Sequence, residues 1–198
     1  MSDNVLNSIE KLYKTDNTVF TVDDLAYIWE EKDDQQLWNK INYQAKIGKL
    51  KRLKRGVYSL AEREIDRLEL SNKVKSPSYI SFDTVLIKEG IMFQYYETIF
   101  AAANNSLEIQ VQDTKLKYRK IKDEILLNKQ GIMQEGNYTI ATLERAYLDT
   151  LYLNKDRGLD NEARIDFDKC FTLAEIYSEK SLIDELKRRK KYVELDKA

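Results

Sequence analysis

Within residues 4–14 apolar side chains stand at Val5, Leu6, Ile9, Leu12 and Tyr13, and this three- and four-residue spacing predicts a first helix. A helix-start signal follows, with Thr21 as N-cap, Asp24 three residues on, and Phe20 and Leu25 at the two hydrophobic-staple positions. The second helix then buries Val22, Leu25, Ala26 and Trp29, and Glu30-Glu31-Lys32, with no apolar member, predicts a turn. Asp33 can cap a third helix with Gln36 behind it, and Gly48 stops that helix. At 100° per residue Leu37, Trp38, Ile41, Ala45 and Gly48 share its inner side, while Gln36, Asn39, Lys40, Tyr43 and Lys46 lie opposite. Residues 50–60 form two apolar-patterned runs around a basic turn ending in Gly56, the pattern of a β-hairpin.

Further on, residues 61–75 alternate charged positions with Ile65, Leu68 and Leu70 and predict a connecting helix, with Pro77 marking the join. Tyr79, Phe82 and Leu86 predict a helix capped by Ser78 and ended by Gly90. Residues 98–103, 107–111 and 115–121 are β-prone runs separated by Asn104-Asn105 and Asp113-Thr114, which predicts a small antiparallel sheet. Thr142 opens a helix with Leu143, Ala146, Tyr147, Thr150 and Leu151 on one inward face. Two more helices are expected, the last from about residue 182 with Ser181 and Asp184 as a capping box. The pattern gives an α+β chain: a DNA-binding-type unit at 1–62, a connector at 63–76 and a mixed α/β domain at 77–198.

Composition narrows the chemistry. Hydrophobic residues at 42% with one Pro and six Gly exclude disordered and collagen-like classes. With no His there is no imidazole base and no His ligand for zinc, and Cys170 alone makes neither an intramolecular disulfide nor a Cys-x-x-Cys pair. No metal or cofactor is expected. The N-terminus lacks a basic-then-apolar leader and no run is long enough for a membrane helix, so a cytoplasmic protein without membrane contact is expected.

The 33 basic and 34 acidic residues nearly cancel, but they are unevenly placed. Residues 1–34 hold nine acids and three bases, whereas residues 39–56 hold seven bases and no acid. Three helices followed by a basic hairpin are the order of a winged helix-turn-helix. Gln36, Asn39, Lys40 and Tyr43 are then candidates for base edges, and Lys46, Lys51, Arg52, Lys54 and Arg55 for phosphates. The later basic runs, Lys187 to Lys191 and Lys115 to Lys122, read as helix-terminus charge and a protected strand face.

Rival chemistries are visible as well. Asp113-Thr114-Lys115 after an alternating strand, with Asp83 upstream, has the form of a Mg²⁺-dependent restriction-type nuclease element. Asp166-Phe167-Asp168 resembles the paired carboxylates of a nucleotidyltransferase but lacks a Gly-Ser element before it, and reads as capping. A winged helix serving as a protein-interaction adaptor is the third alternative.

The chain as a whole resembles the AbiEi-like antitoxins of abortive-infection systems, a family of transcriptional regulators of viral defence. The likeness rests on Gly48-Lys49-Leu50-Lys51-Arg52-Leu53-Lys54-Arg55-Gly56-Val57-Tyr58, on Pro77-Ser78-Tyr79-Ile80-Ser81-Phe82 leading to Gly90, and on Tyr138-Thr139-Ile140-Ala141-Thr142-Leu143-Glu144-Arg145-Ala146-Tyr147-Leu148-Asp149. Leu143 stands where that family often has proline, and Arg145 where lysine is common. The resemblance implies a winged helix-turn-helix joined to an antitoxin domain, not an enzyme. Its partners would be double-stranded DNA at inverted repeats of its own promoter and, functionally, a nucleotidyltransferase toxin in a type IV arrangement that needs no stable complex. Tyr79, Arg145 and Asp149 are the antitoxin-domain candidates by motif position.

Overall fold

The computed structural model describes the backbone of residues 2–94 and 97–196 and the side chains of residues 8–94 and 97–196. Among these residues the protein is a mixed α and β chain with nine α-helices, and it divides into two compact units between Val74 and Lys75.

The first unit runs α1 (Ser2–Tyr13), β1 (Val19–Thr21), α2 (Val22–Trp29), α3 (Asp34–Lys46), β2 (Leu50–Lys54), β3 (Val57–Leu60) and α4 (Arg67–Val74). Its sheet has the order β1-β3-β2, antiparallel throughout. The α2 start is the expected capping box: Thr21 Oγ1 accepts from the Asp24 amide at 3.1 Å, and the Asp24 carboxylate accepts from the Thr21 amide at 2.8 Å. Phe20 and Leu25, the staple pair, are both fully buried. Each such burial stabilises the fold by about 1.5–3 kcal/mol. Trp29 joins the same core and satisfies its indole N–H on the Ser8 carbonyl at 2.9 Å. In α1, Ile9 and Leu12 are buried as expected, whereas Tyr13 faces solvent with the Arg63 guanidinium 5.5 Å from its ring; Val5 and Leu6 lie outside the described side chains.

The segment expected only as a connector docks on β1. The loop between α1 and β1 has backbone groups with no ladder partner, and polar residues from beyond the hairpin supply one. Arg63 donates to the carbonyls of Thr15 and Asn17 at 2.6 and 2.7 Å, and the Glu69 carboxylate of α4 accepts from the Thr18 amide and hydroxyl at 2.8 and 2.7 Å. Lys73 reaches the Asp24 carboxylate at 2.7 Å, tying α4 to the start of α2.

The second unit holds β4 (Ser78–Ile80), α5 (Asp83–Lys88), β5 (Ile99–Ala103), β6 (Leu107–Val111), β7 (Thr114–Lys120), α6 (Asp123–Leu126), β8 (Ile132–Glu135), β9 (Tyr138–Ala141), α7 (Leu143–Leu153), α8 (Phe167–Ala174) and α9 (Lys180–Asp196). The small antiparallel sheet is instead six-stranded and mixed, in the order β6-β7-β5-β4-β9-β8, with β5/β7 and β4/β9 parallel. The helix expected from Ser78 is strand β4 in the middle of this sheet, Tyr79 opposite Ala102 and Ile80 between Ala101 and Ile140. The 79, 82, 86 spacing arose from a strand, a sharp turn at Phe82 with φ 56°, and the short α5. Ser78 Oγ donates to the Lys75 carbonyl at 2.5 Å and caps nothing.

Thr142 does open α7, accepting from the Arg145 amide at 3.3 Å. The helix is not one-faced, however: every side chain from Arg145 to Leu151 is buried, because α7 lies among β9, α5, α8 and α9. α9 begins at Lys180 without the Ser181–Asp184 box; Ser181 Oγ instead donates to the Glu179 carboxylate at 2.7 Å. The C-terminal cations are engaged in ion pairs, Arg188 and Arg189 with Glu185 and Lys190 with Asp168. No helix among the described residues is long and apolar enough to cross a membrane.

Candidate nucleic-acid interface

Helix α3 and the β2–β3 hairpin carry nine of the sequence candidates. Asp33 caps α3 by accepting from the Gln36 amide at 2.8 Å, and past the helix end Gly48 sits at φ 73°, a left-handed conformation that favours glycine. Leu37, Ile41 and Gln44 form the buried row. Trp38 is therefore not interior but 41% exposed, and Ala45 is only partly buried. The inner face is rotated from the expected one, toward Gln44 and away from Trp38.

Directly opposite that buried row stand Gln35, Asn39, Asn42 and Lys46, all exposed, with Gln36 and Tyr43 on one flank and Trp38 on the other. Gln35 Nε2 donates to Asn39 Oδ1 at 3.1 Å, one helical turn apart. Gln35, Asn42 and Trp38 were absent from the sequence candidates; placing the helical wheel on Leu37, Ile41 and Gln44 finds all three.

Lys40 departs from the expected outward position. Its side chain is 22% exposed, its ammonium stands 3.6 Å from the Glu31 carboxylate and 5.4 Å from the centre of the Trp29 ring. A carboxylate and an aromatic face at the α2 end draw it aside.

The hairpin pairs β2 with β3 in antiparallel register, with an irregularity between Arg52 and Lys54, and turns at Arg55-Gly56. Its inner side is anchored by Leu50, Val57, Tyr58 and Leu60. Lys51, Arg52 and Arg55 are exposed and Lys54 is half-buried. Among the described residues Lys46, Arg52, Lys54 and Arg55 make no salt bridge. The arrangement can offer amide donor and acceptor edges flanked by uncompensated cations.

The three candidates of the second unit meet, but inside it. Tyr79 Oη donates toward the Asp149 carboxylate at 3.0 Å, Arg145 Nη2 donates to Tyr79 Oη at 3.1 Å, and Ser81 and Tyr177 donate to the same carboxylate at 2.7 and 2.6 Å. The Arg145 Nη1 and Nη2 atoms also reach the Gln130 and Ile125 carbonyls at 2.9 and 2.6 Å. Burial pushes the Asp149 carboxyl above the usual carboxylate range against the pull of Arg145 and three hydroxyl donors, and pushes both phenols well above theirs. Arg145 and Asp149 have no accessible surface and Tyr79 only 3%, so none of the three presents a face to another molecule. The fused motif stretches thus mark an interior polar knot.

The residues of the nuclease reading stand apart in role. Asp83 is buried and paired with Arg157 at 3.1 Å, and Asp113 lies exposed in the β6–β7 turn. Asp166 caps α8 by accepting from the Lys169 amide at 3.1 Å. No group of three or more Cys, Asp or Glu side chains that could hold a metal ion forms among the described residues. Cys170 is buried, and burial pushes its thiol far above the range of a reactive nucleophile.

No protein-family model matches the chain, and no curated protein is significantly similar to it.

Proposed function

We propose that this chain is a DNA-binding transcriptional autorepressor and the antitoxin of a type IV abortive-infection pair, acting in the cytoplasm on its own promoter. The N-terminal unit is read as a winged helix-turn-helix, with α3 in the major groove and the β2–β3 hairpin along the phosphates. The observation that carries this reading is the outward row of α3, Gln35, Asn39, Asn42 and Lys46, followed along the chain by the hairpin cations, with no carboxylate in residues 39–56. A merely solvated surface has no need to exclude acids over that length, whereas a duplex repels each one.

The antitoxin role rests on the resemblance of three stretches to the AbiEi-like family, and assigns the 77–198 domain to countering a nucleotidyltransferase toxin without requiring a stable complex. It is not an enzyme in this reading. Growth rescue of cells expressing the neighbouring toxin gene, with the 77–198 domain deleted or intact, tests that half separately.

One observation favours a second reading. Trp38, Tyr43 and Ile47 expose 41%, 48% and 46% of their surface on and just after α3, more aromatic and apolar area than phosphate contact needs. A winged-helix adaptor that docks a protein would use such a face. Anisotropy titration against the chain's own upstream duplex and a scrambled duplex, at several salt concentrations, separates the two. Preference for the upstream duplex with steep salt dependence supports the repressor; no binding at any salt supports the adaptor.

A further inference from the structure

The row of α3 opposite the core is composed almost entirely of carboxamides. Gln35, Asn39 and Asn42 precede a single cation, Lys46, and the four positions extend about 16 Å along the helix at its standard rise. The row has no arginine, and the one lysine nearer its centre, Lys40, is turned toward Glu31 and Trp29. Guanine is read chiefly by Arg or Lys donating to two acceptors, adenine by an Asn or Gln amide that donates to N7 and accepts from the N6 amino group.

Asn39 is held for the second task. Because Gln35 Nε2 donates to Asn39 Oδ1 at 3.1 Å, the oxygen and nitrogen of that amide can exchange places and keep a bond only if the Gln35 amide turns as well. The Oδ1 atom keeps a second lone pair for an N6–H donor, and Nδ2 keeps its hydrogens for N7. Against guanine the same oxygen would meet the O6 acceptor, leaving two acceptors face to face. Trp38 and Tyr43, exposed on either flank, supply the apolar contact that suits a thymine methyl.

We infer that Asn39, positioned by Gln35, reads an adenine, and that the base pairs under the Gln35-to-Asn42 part of α3 are A·T-rich. This rests on the duplex-binding reading above, and its test separates the two. The full chain is used to select duplexes from a randomised pool, and the selected duplex is then titrated with each adenine replaced in turn by 7-deazaadenine, which lacks the N7 acceptor.

For wild type one such replacement is expected to weaken binding by about 2- to 13-fold, the range of a single lost hydrogen bond, since the N6 amino group keeps its bond to Oδ1. Asn39→Ala loses sensitivity at that position alone. Gln35→Ala blunts it and relaxes the choice of base there, while the slope of affinity against salt stays that of wild type, which a merely structural role would not produce. Both side chains are exposed, so the variants fold, and circular dichroism melts check this. Selection of G·C pairs at those positions, or indifference to every 7-deazaadenine in a duplex that binds with steep salt dependence, overturns the inference and leaves DNA binding standing. Failure of wild type to bind any duplex overturns both.

Discussion

The Arg145 guanidinium faces the Asp149 carboxylate one turn along α7, Nε to Oδ1 3.5 Å, and neither side chain reaches solvent. Two charges leave water here with most of their donors and acceptors met: two backbone carbonyls take the guanidinium, and Tyr79, Ser81 and Tyr177 serve the carboxylate, while Arg145 Nε has only the ion-pair contact and no hydrogen bond. The knot joins β4, α7 and the turn before α9, elements distant in sequence, so it specifies how the second unit closes.

Removing one partner leaves the other charge stranded. Arg145→Met is expected to destabilise the second unit by about 3–5 kcal/mol, whereas Arg145→Met with Asp149→Leu recovers part of that loss, since an apolar pair needs no compensation. The single variant has a sign in pH. Burial already raises the Asp149 carboxyl, and loss of Arg145 raises it further. A group raised in the folded state contributes its stability below its unfolded pKa and loses it as pH rises through the folded value. The Arg145→Met deficit in urea unfolding is therefore smaller at about pH 4 than at pH 7, the unfolded carboxyl lying near 3.9. An equal deficit at both values would mean the carboxylate is not the stranded group.

Gly131 bounds the same knot from outside. Its φ is 70°, and a Cβ added there would lie 2.9 Å from the Arg145 Cβ and 3.3 Å from both a Leu173 methyl and the Thr142 hydroxyl. Gly131→Ala thus meets strain of about 1 kcal/mol from the backbone alone, plus displacement of Arg145. A loss well above that figure is expected in equilibrium unfolding, while the loss for Gly136→Ala, at φ 55° with open space around it, stays near the backbone value.

Local chemistry was readable where it is decided locally. The Thr21–Asp24 box, the Asp33 cap and the basic turn before Gly56 each depend on a few adjacent residues, and all are present. Strand β4 was not, because Tyr79 and Ile80 owe their conformation to β5 and β9, whose partner residues lie tens of positions away. The rotation of α3 escaped for a different reason: hydrophobicity assigned Trp38 inward and gave Gln44 no place in the core, whereas packing exposes Trp38 and buries Gln44. Lys40 could be placed only once Glu31 and Trp29 were known to end beside it.

The α2 start couples to α4 through Asp24, which caps Thr21 and receives Lys73. Burial works to raise its carboxyl, but the Lys73 ammonium and the Thr21 donors outweigh it and hold the pKa below the ordinary value. A group depressed in the folded state contributes stability above its unfolded pKa and loses it as pH falls through the folded one. Asp24→Asn should therefore cost about 0.5–2 kcal/mol at pH 7, the scale of a lost cap. Wild type and variant should converge in acid titrations once pH drops below the usual aspartate range. A difference that persists there would assign the loss to packing.

Arg55 and Lys40 give opposite expectations for duplex binding. Arg55 is exposed at the hairpin turn without a salt bridge, so in the proposed complex it neutralises a phosphate and releases a counterion. Arg55→Ala should weaken binding to every duplex alike and reduce the slope of log affinity against log salt by about one. Lys40 has its charge turned to Glu31 and its stem against Trp29. Lys40→Ala should leave that slope at its wild-type value and instead lower the melting temperature of the first unit slightly, a partly exposed ion pair contributing about 0.2–1 kcal/mol. A Lys40→Ala variant whose salt slope falls as far as that of Arg55→Ala would show that Lys40 swings out to a phosphate on binding.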